Sequence, residues 1–246
     1  AGIQDNWGVL DALYVYGEDS SMELGYFLEE YLVEDGAYHD SDRNWLSWEP
    51  GTRFEYTNVG ASLAAYAVEE VRGESFDDVC DADIFGVLGM TDTGWHLADF
   101  DPDEVAVPYL PASGGWMPME HYGFPDYPDG LLRSSAADMA RFVAAIAGGG
   151  SLDGERILAS ETVDEMLTDQ VPEVEVGQGV LWATYEMADR TLVGHDGGDL
   201  GVTTEIGLDP ATGNGFVLLM NLDWDLAGGQ AFMAIETALM DAAEAR

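Results

Sequence analysis

At 246 residues and 47% hydrophobic content, the chain is long enough to bury a substantial core, and seven Trp, eleven Tyr and nine Phe exclude a disordered acidic tail. Its 48 Asp and Glu face only eight Arg and no Lys, a net charge of −40 that leaves no basic footprint for nucleic acid and no attraction to an anionic membrane surface. Such self-repulsion favours expansion at ordinary ionic strength and is relieved at molar salt, where the Debye length is about 3 Å, so an extreme halophile is the expected source, in the cytoplasm or secreted.

The opening Ala1-Gly2-Ile3-Gln4-Asp5 has no basic or apolar signal region, and no apolar run of about 18 residues suggests a membrane span. Ser20-Ser21-Met22-Glu23 reads as a capping box that opens a helix through Leu24, Phe27, Leu28, Tyr31 and Leu32, ended by Gly36. A second helix is predicted from Asn58, with Val59, Leu63, Ala67 and Val71 on one side and Gly73 as a left-handed terminator. Ser75 opens another that ends near Phe85; on its apolar side the single cysteine, Cys80, reads as a packing thiol and excludes an internal disulfide. Residues 94–130 are rich in Pro, Gly, Trp and Tyr without sustained periodicity, as expected of a long ordered loop.

Ser135 to Ala147 is predicted to form a helix with Met139, Phe142, Val143 and Ile146 inward and Gly148-Gly149-Gly150 as terminator, and Glu161 to Thr168 a further one. From residue 178 the period changes to two, giving candidate strands at 180–186, 190–194, 202–208 and 216–221, with turn chemistry in Asp209-Pro210-Ala211-Thr212-Gly213-Asn214. Gln230 to Ala243 is an amphipathic helix able to cover that sheet. Helices first, antiparallel strands next and a covering helix last make an α+β fold, with residues 1–177 helical and loop-rich and 178–246 the sheet and its helix, packed as one unit.

Four blocks in order carry a resemblance. Pro50-Gly51-Thr52-Arg53-Phe54-Glu55-Tyr56-Thr57-Asn58-Val59-Gly60 contains a Tyr-x-Asn element, Leu88-Gly89-Met90-Thr91-Asp92-Thr93 follows, Asp129-Gly130-Leu131-Leu132-Arg133-Ser134-Ser135 opens a helix, and Gly194-His195-Asp196-Gly197-Gly198 is a His-x-Gly strand motif. Together they resemble the β-lactamase-related serine hydrolases, which include class C β-lactamases, penicillin-binding proteins, D-aminopeptidases and esterases. The resemblance implies a β-lactamase/transpeptidase-like fold and acyl transfer from an amide or ester through a serine acyl-enzyme, with a small-molecule or peptide substrate and no cofactor or metal. It gives Tyr56 a share in proton transfer, Asn58 a share in substrate positioning, His195 a substrate contact or a part in proton movement, and Gly198 the backbone N–H of an oxyanion site lined by Gly197. A phenol with an ordinary pKa of about 10 can act as a base only where positive charge stabilises the phenolate. A preorganised oxyanion donor is worth roughly 3 to 4 kcal/mol. Tyr109, Trp116 and Tyr122, in the 94–130 segment, are candidates for a pocket wall or for core packing.

The family's Ser-x-x-Lys pair, with serine as nucleophile and lysine as its activator, cannot occur in a chain without lysine. Ala1-Gly2-Ile3 looks like the residues that follow that motif, so the chain is expected to start inside the family pattern, lacking the N-terminal strands and the Ser-x-x-Lys helix. The family's missing first strand would pair with the one matching Phe216 to Met220, leaving an edge along 216–221 open to self-association or to an upstream fragment. A catalytically dead relative that binds through the old pocket fits the missing lysine equally well. Gly60-Ala61-Ser62-Leu63-Ala64 echoes a nucleophile elbow imperfectly, since its last position is Ala and no strand leads into it. Asp40-x-Asp42-x-Asn44 and Asp99-x-Asp101-x-Asp103 lack the Gly and Glu of a calcium loop, and His39, His96, His121 and His195 have no zinc spacing.

The charge generates a direct test. Dilution from about 3 M to about 0.1 M KCl is expected to raise the radius of gyration in solution scattering and to lower the thermal midpoint. An unchanged midpoint across that range would remove salt from the account of stability.

Overall fold

The structure, a computed structural model, describes residues 2–223 and 226–245. In chain order the elements are α1 (Trp7–Leu10), β1 (Val15–Tyr16), α2 (Leu24–Leu32), α3 (Asn58–Arg72) and α4 (Phe76–Cys80), which widens into a π turn over Asp81–Phe85 before α5 (Gly86–Leu88). There follow β2 (Tyr109–Ala112), β3 (Gly115–Pro118), β4 (Tyr122–Gly123), α6 (Ala136–Ala147), β5 (Ser151–Leu152), β6 (Glu155–Arg156) and α7 (Ser160–Leu167). The last are β7 (Ala183–Met187), β8 (Arg190–Asp199), β9 (Val202–Leu208), β10 (Gly215–Met220) and α8 (Leu226–Glu244). They form two compact units, one of Ala1–Ala82, Gly94–Val105 and Glu120–Arg133, the other of Asp83–Thr93, Ala106–Met119 and Ser134–Arg246.

In the first unit α2 buries Leu24, Phe27, Leu28 and Tyr31, the stripe its spacing predicts. The capping box does not form. Ser20 Oγ accepts the nearby Met22 N–H at 3.2 Å, a local turn that competes with the cap, and Glu23 stands at the helix entry without a side-chain bond. The helix also stops at Leu32 rather than running to Gly36, because Val33 is already extended.

Helix α3 starts and ends where expected, with Thr57 Oγ1 accepting the Gly60 N–H and Gly73 at φ 70° closing it. Its buried face differs from the one expected: Val59, Ser62 and Ala65 point inward, whereas Val71 is 85% exposed. Four-residue steps drift by about 40° each on a 3.6-residue helix, so the row from Val59 through Val71 winds out to solvent.

Tyr31 ties the N-terminal segment to this layer, its hydroxyl donating to Gln4 O at 2.8 Å and accepting the Asn6 N–H at 2.6 Å. The fully buried Asn44 side chain donates to Tyr31 O and Tyr38 O and accepts from Asn6 Nδ2, all at 2.9 Å. Burial holds the Tyr31 phenol up to about 12, so it stays a neutral hydrogen-bonding group.

The second unit is built on an antiparallel sheet in the order β10-β9-β8-β7. Side chains alternate between its faces. One face packs Val193 and Leu208 with Val143 and Ile146 of α6, Val163 of α7 and Trp182. The other packs Met187, Leu192 and Phe216 against Met240 of α8. The first candidate strand begins at Ala183 instead of residue 180, because Gly179 N–H turns back to Trp182 O at 2.7 Å with Leu181 at φ 59°. Within the expected loop, β2 and β3 form a hairpin with Pro111 opposite Trp116, and the positive φ of Gly114 and Gly115 makes its turn.

Helix α8 carries an acid into this unit. Glu236 is only 5% exposed and lies beside Glu205 of β9 and near Asp196 of β8, and its Oε1 meets no hydrogen-bond partner among the described residues. Desolvation first, and then the adjacent Glu205 carboxyl, pushes Glu236 up to about 8. A carboxyl buried beside other acidic groups keeps its proton in the folded protein, whereas the unfolded chain gives it up near pH 4.5. A raised folded pKa of this kind contributes stability at low pH that is lost as pH rises through the interval from 4.5 to about 8. Denaturant titrations should show stability falling across that interval in the wild type and a flatter profile in Glu236→Gln, which carries the hydrogen permanently. Parallel profiles would show that Glu236 does not hold the proton.

Candidate functional site

The Tyr-x-Asn element lies at the entrance of α3. Thr57 is the N-cap, so Tyr56 stands just outside the helix, 48% exposed, and Asn58 is its first residue. What holds this entrance is Asp5, more than fifty residues away in sequence: its Oδ1 accepts from Thr57 Oγ1 at 2.7 Å and from Val59 N–H at 3.2 Å, and its Oδ2 accepts the Asn58 N–H at 2.9 Å. A carboxylate facing the positive end of a 15-residue helix is favourable both as a hydrogen-bond acceptor and as a charge. Sequence reasoning missed Asp5, since nothing local in Ile3-Gln4-Asp5 marks it as the cap of a helix so far along the chain. Ser62, the weak nucleophile candidate, is fully buried within α3 and donates to Asp126 O at 3.0 Å, a packing role.

The other candidates belong to the second unit. The His-x-Gly motif lies within β8, which extends to Asp199 and not only to Gly194 as expected. Glycine and aspartate are poor strand formers, and it is the ladder to β9 that keeps them extended, with Gly194 opposite Gly207, His195 opposite Ile206, Gly197 opposite Thr204 and Gly198 opposite Thr203. On the other side the pairing of β7 stops at Gly194. Over Asp196, Gly197 and Gly198 no strand lies on that side among the described residues. In an antiparallel strand alternate residues aim both backbone groups to the same side, so this stretch turns hydrogen-bonding backbone away from β9. A Cβ at Gly198 would meet nothing within 4 Å, so the sheet face is open at that residue.

The β2–β3 hairpin is fastened beside this strand tip. Tyr109 N–H is shared between Gly201 O at 3.3 Å and Asn221 O at 3.1 Å, Asp223 N–H donates to Tyr109 O at 3.0 Å, and Asn221 Nδ2 donates to Val107 O at 2.8 Å. Gly201, at φ 73° in the β8–β9 turn, has no room for a side chain: a Cβ would come within 2.7 Å of Pro108. The fold thus brings Tyr109 to the strand tip on the hairpin whose far strand carries the half-exposed Trp116. Tyr122 is placed elsewhere. It is 6% exposed in an aromatic cluster of the first unit, with ring centroids 5.3 Å from Tyr14 and 6.3 Å from Phe124, which is the packing alternative of the two expected for it.

The protein-family model described as Beta-lactamase matches residues 21–231. Among curated proteins, Protein Rv1367c of Mycobacterium tuberculosis is 26% identical over 147 residues, 57% of this chain and 36% of its own length. The chain spans about a third of the length of the curated relatives it matches. Among solved structures, the penicillin binding protein from Bacillus halodurans superposes with a TM-score of 0.72 at 22% identity, covering 97% of this chain and 69% of that one. The octameric penicillin-binding protein homologue from Pyrococcus abyssi gives 0.65 at 23% identity, covering 92% and 55%. These likenesses bear out the α+β fold with its antiparallel sheet. Among the described residues no helix is long and apolar enough to cross a membrane.

The Asp5 bridge predicts a coupling between the chain start and the Tyr-x-Asn element. Asp5→Ala leaves three donors at the α3 entrance unanswered and should cost roughly 1 to 3 kcal/mol of unfolding free energy. Asp5→Asn, which keeps an acceptor, should cost less. Equal stability of Asp5→Ala and wild type in denaturant titrations would show that the bridge is not formed in solution.

Proposed function

The chain belongs to the Beta-lactamase family, and on that premise we propose that the β8 tip is an acyl-binding site, taking an amide or ester of the kind that the family's serine hydrolases cleave, while this chain by itself lacks the nucleophile. The observation that carries the reading is the strand Asp196-Gly197-Gly198, held by β9 on one side and flanked by the Tyr109 hairpin. An extended acyl group aligned along such a strand receives backbone hydrogen bonds, and the Gly198 N–H is the donor for its carbonyl oxygen. Gly197 keeps the surface low enough for close approach. Tyr109 and Trp116 give the site an apolar wall, and His195 contacts the substrate or moves a proton. Tyr56 and Asn58 keep the parts that the resemblance gives them in proton transfer and in positioning.

The absence of lysine supports the missing-nucleophile reading, because without Ser-x-x-Lys no serine is activated in the family's way. It favours equally a relative that retains only binding. The outer edge of β10, where no strand pairs among the described residues, is the proposed place of self-association or of pairing with an upstream fragment. Intact mass after incubation in molar KCl with a penicillin, and separately with a serine-reactive fluorophosphonate, tests the central point. No adduct is expected. A stoichiometric adduct mapped to one serine would overturn the missing nucleophile and make the chain an enzyme in its own right.

A further inference from the structure

The β8–β9 register places one polar side chain against the strand tip that no motif singles out. Thr204 lies directly across from Gly197 and shares its sheet face with His195, two residues along β8. A Cβ at Gly197 would come within 2.5 Å of Thr204 Oγ1, so the hydroxyl occupies the space a side chain at Gly197 would fill. The neighbouring Thr203 has a structural use for its hydroxyl, which donates to Leu222 O at 2.9 Å. Thr204 is half-buried, and its hydroxyl makes no hydrogen bond with the described residues. A donor and acceptor is thus held over the backbone of Gly197.

The charge around it is one-sided. Asp196 faces Glu205 across the ladder on the α8 side of the sheet, the face opposite Thr204, and Asp199, on the face of Thr204, ends the strand. The arginines of the second unit that lie among the described residues are engaged away from this tip. Arg141 binds Leu88 O and Asp153, Arg156 binds Gly149 O and Leu158 O, and Arg190 binds Asp241 and Glu244. At molar salt the Debye length of about 3 Å removes distant repulsion but not that of groups in contact. A carboxylate placed here would meet carboxylates and no arginine of this unit, whereas an amine would find partners.

We propose that Thr204 is a substrate-contacting residue of the β8 tip, and that this tip accepts an uncharged or amine-bearing amide or ester in preference to one carrying a carboxylate. The inference rests on the reading of the tip as the acyl site. Its test uses three probes on one scaffold, N-acetylphenylalanine amide, phenylalanine amide and N-acetylphenylalanine with its free carboxylate, each as both enantiomers, titrated in molar KCl and followed by backbone amide chemical shifts. The neutral and amine-bearing probes should shift the amides of Gly197 and Gly198, and the carboxylate probe should bind at least about tenfold more weakly. Thr204→Val should weaken the bound probes by roughly three- to tenfold, the worth of one hydrogen bond, and Thr204→Ser should restore them. Failure of every probe to shift the β8 amides would sink the acyl-site reading and this inference with it. Binding at β8 that ignores both Thr204 variants, or that favours the carboxylate probe, would overturn this inference and leave the acyl site standing. The probe series needs only the wild type, so it decides the charge preference even if Thr204→Val fails to fold.

Discussion

The ladder between β8 and β9 is the constraint from which the second unit follows. Its register fixes which residues look toward α6 and which toward α8, and a slip of one position would exchange the two sets. It also holds glycines and aspartates extended that would not form a strand by themselves. The chemistry proposed for the tip therefore depends on cross-strand neighbours rather than on the local preference of the motif. Thr204 gains its meaning only from being opposite Gly197.

A second theme is how so acidic a chain places carboxylates inside. Asp5 is used as a helix cap, where its charge is favourable. Glu236 is used under α8, where its charge would be costly and where a proton replaces the missing cation. Arg190 fastens the far end of the same helix, with bonds of 2.6 to 2.8 Å to Asp241 and Glu244. Among the described residues the arginines are few and are committed to particular carbonyls, carboxylates or, for Arg53, the ring of Trp48 at 4.7 Å. Other carboxylates accept hydrogen bonds from the chain itself, as Asp138 does from the Asp92 N–H and Asp19 from the Leu97 N–H.

Much of the fold was legible in the sequence because its signals are local. The bounds of α3, the Ser135 cap of α6, the run of antiparallel strands and the covering helix all rest on neighbours within a few residues. Illegible features depend on distant partners. The far half of β8 is made a strand by β9, and the β2–β3 hairpin hides behind Pro111 and Pro118. The Asp5 bridge joins segments that no periodicity links. Of the candidate site residues, the motifs pointed to Tyr56, Asn58, His195, Gly197 and Gly198, while Asp5 and Thr204 became visible only in the fold, and Tyr122 could not be sorted between wall and core without its burial.

The two units are also connected differently along the chain. Each neighbouring pair in the sheet, β7 with β8, β8 with β9 and β9 with β10, is consecutive in sequence and joined by a short turn. Both units gather three separated stretches, but the first has no such meander, and its completion waits for Glu120–Arg133 to return to residues near the start. Closing long loops costs entropy before any contact repays it, so low contact order makes the meander the fast part of folding and the first unit the slow part. The strand tip takes shape on the fast-forming meander, whereas its hairpin anchor, which joins Tyr109 to Gly201 and Asn221, and the entrance of α3, which needs Asp5 and Thr57 to meet, wait for long loops to close.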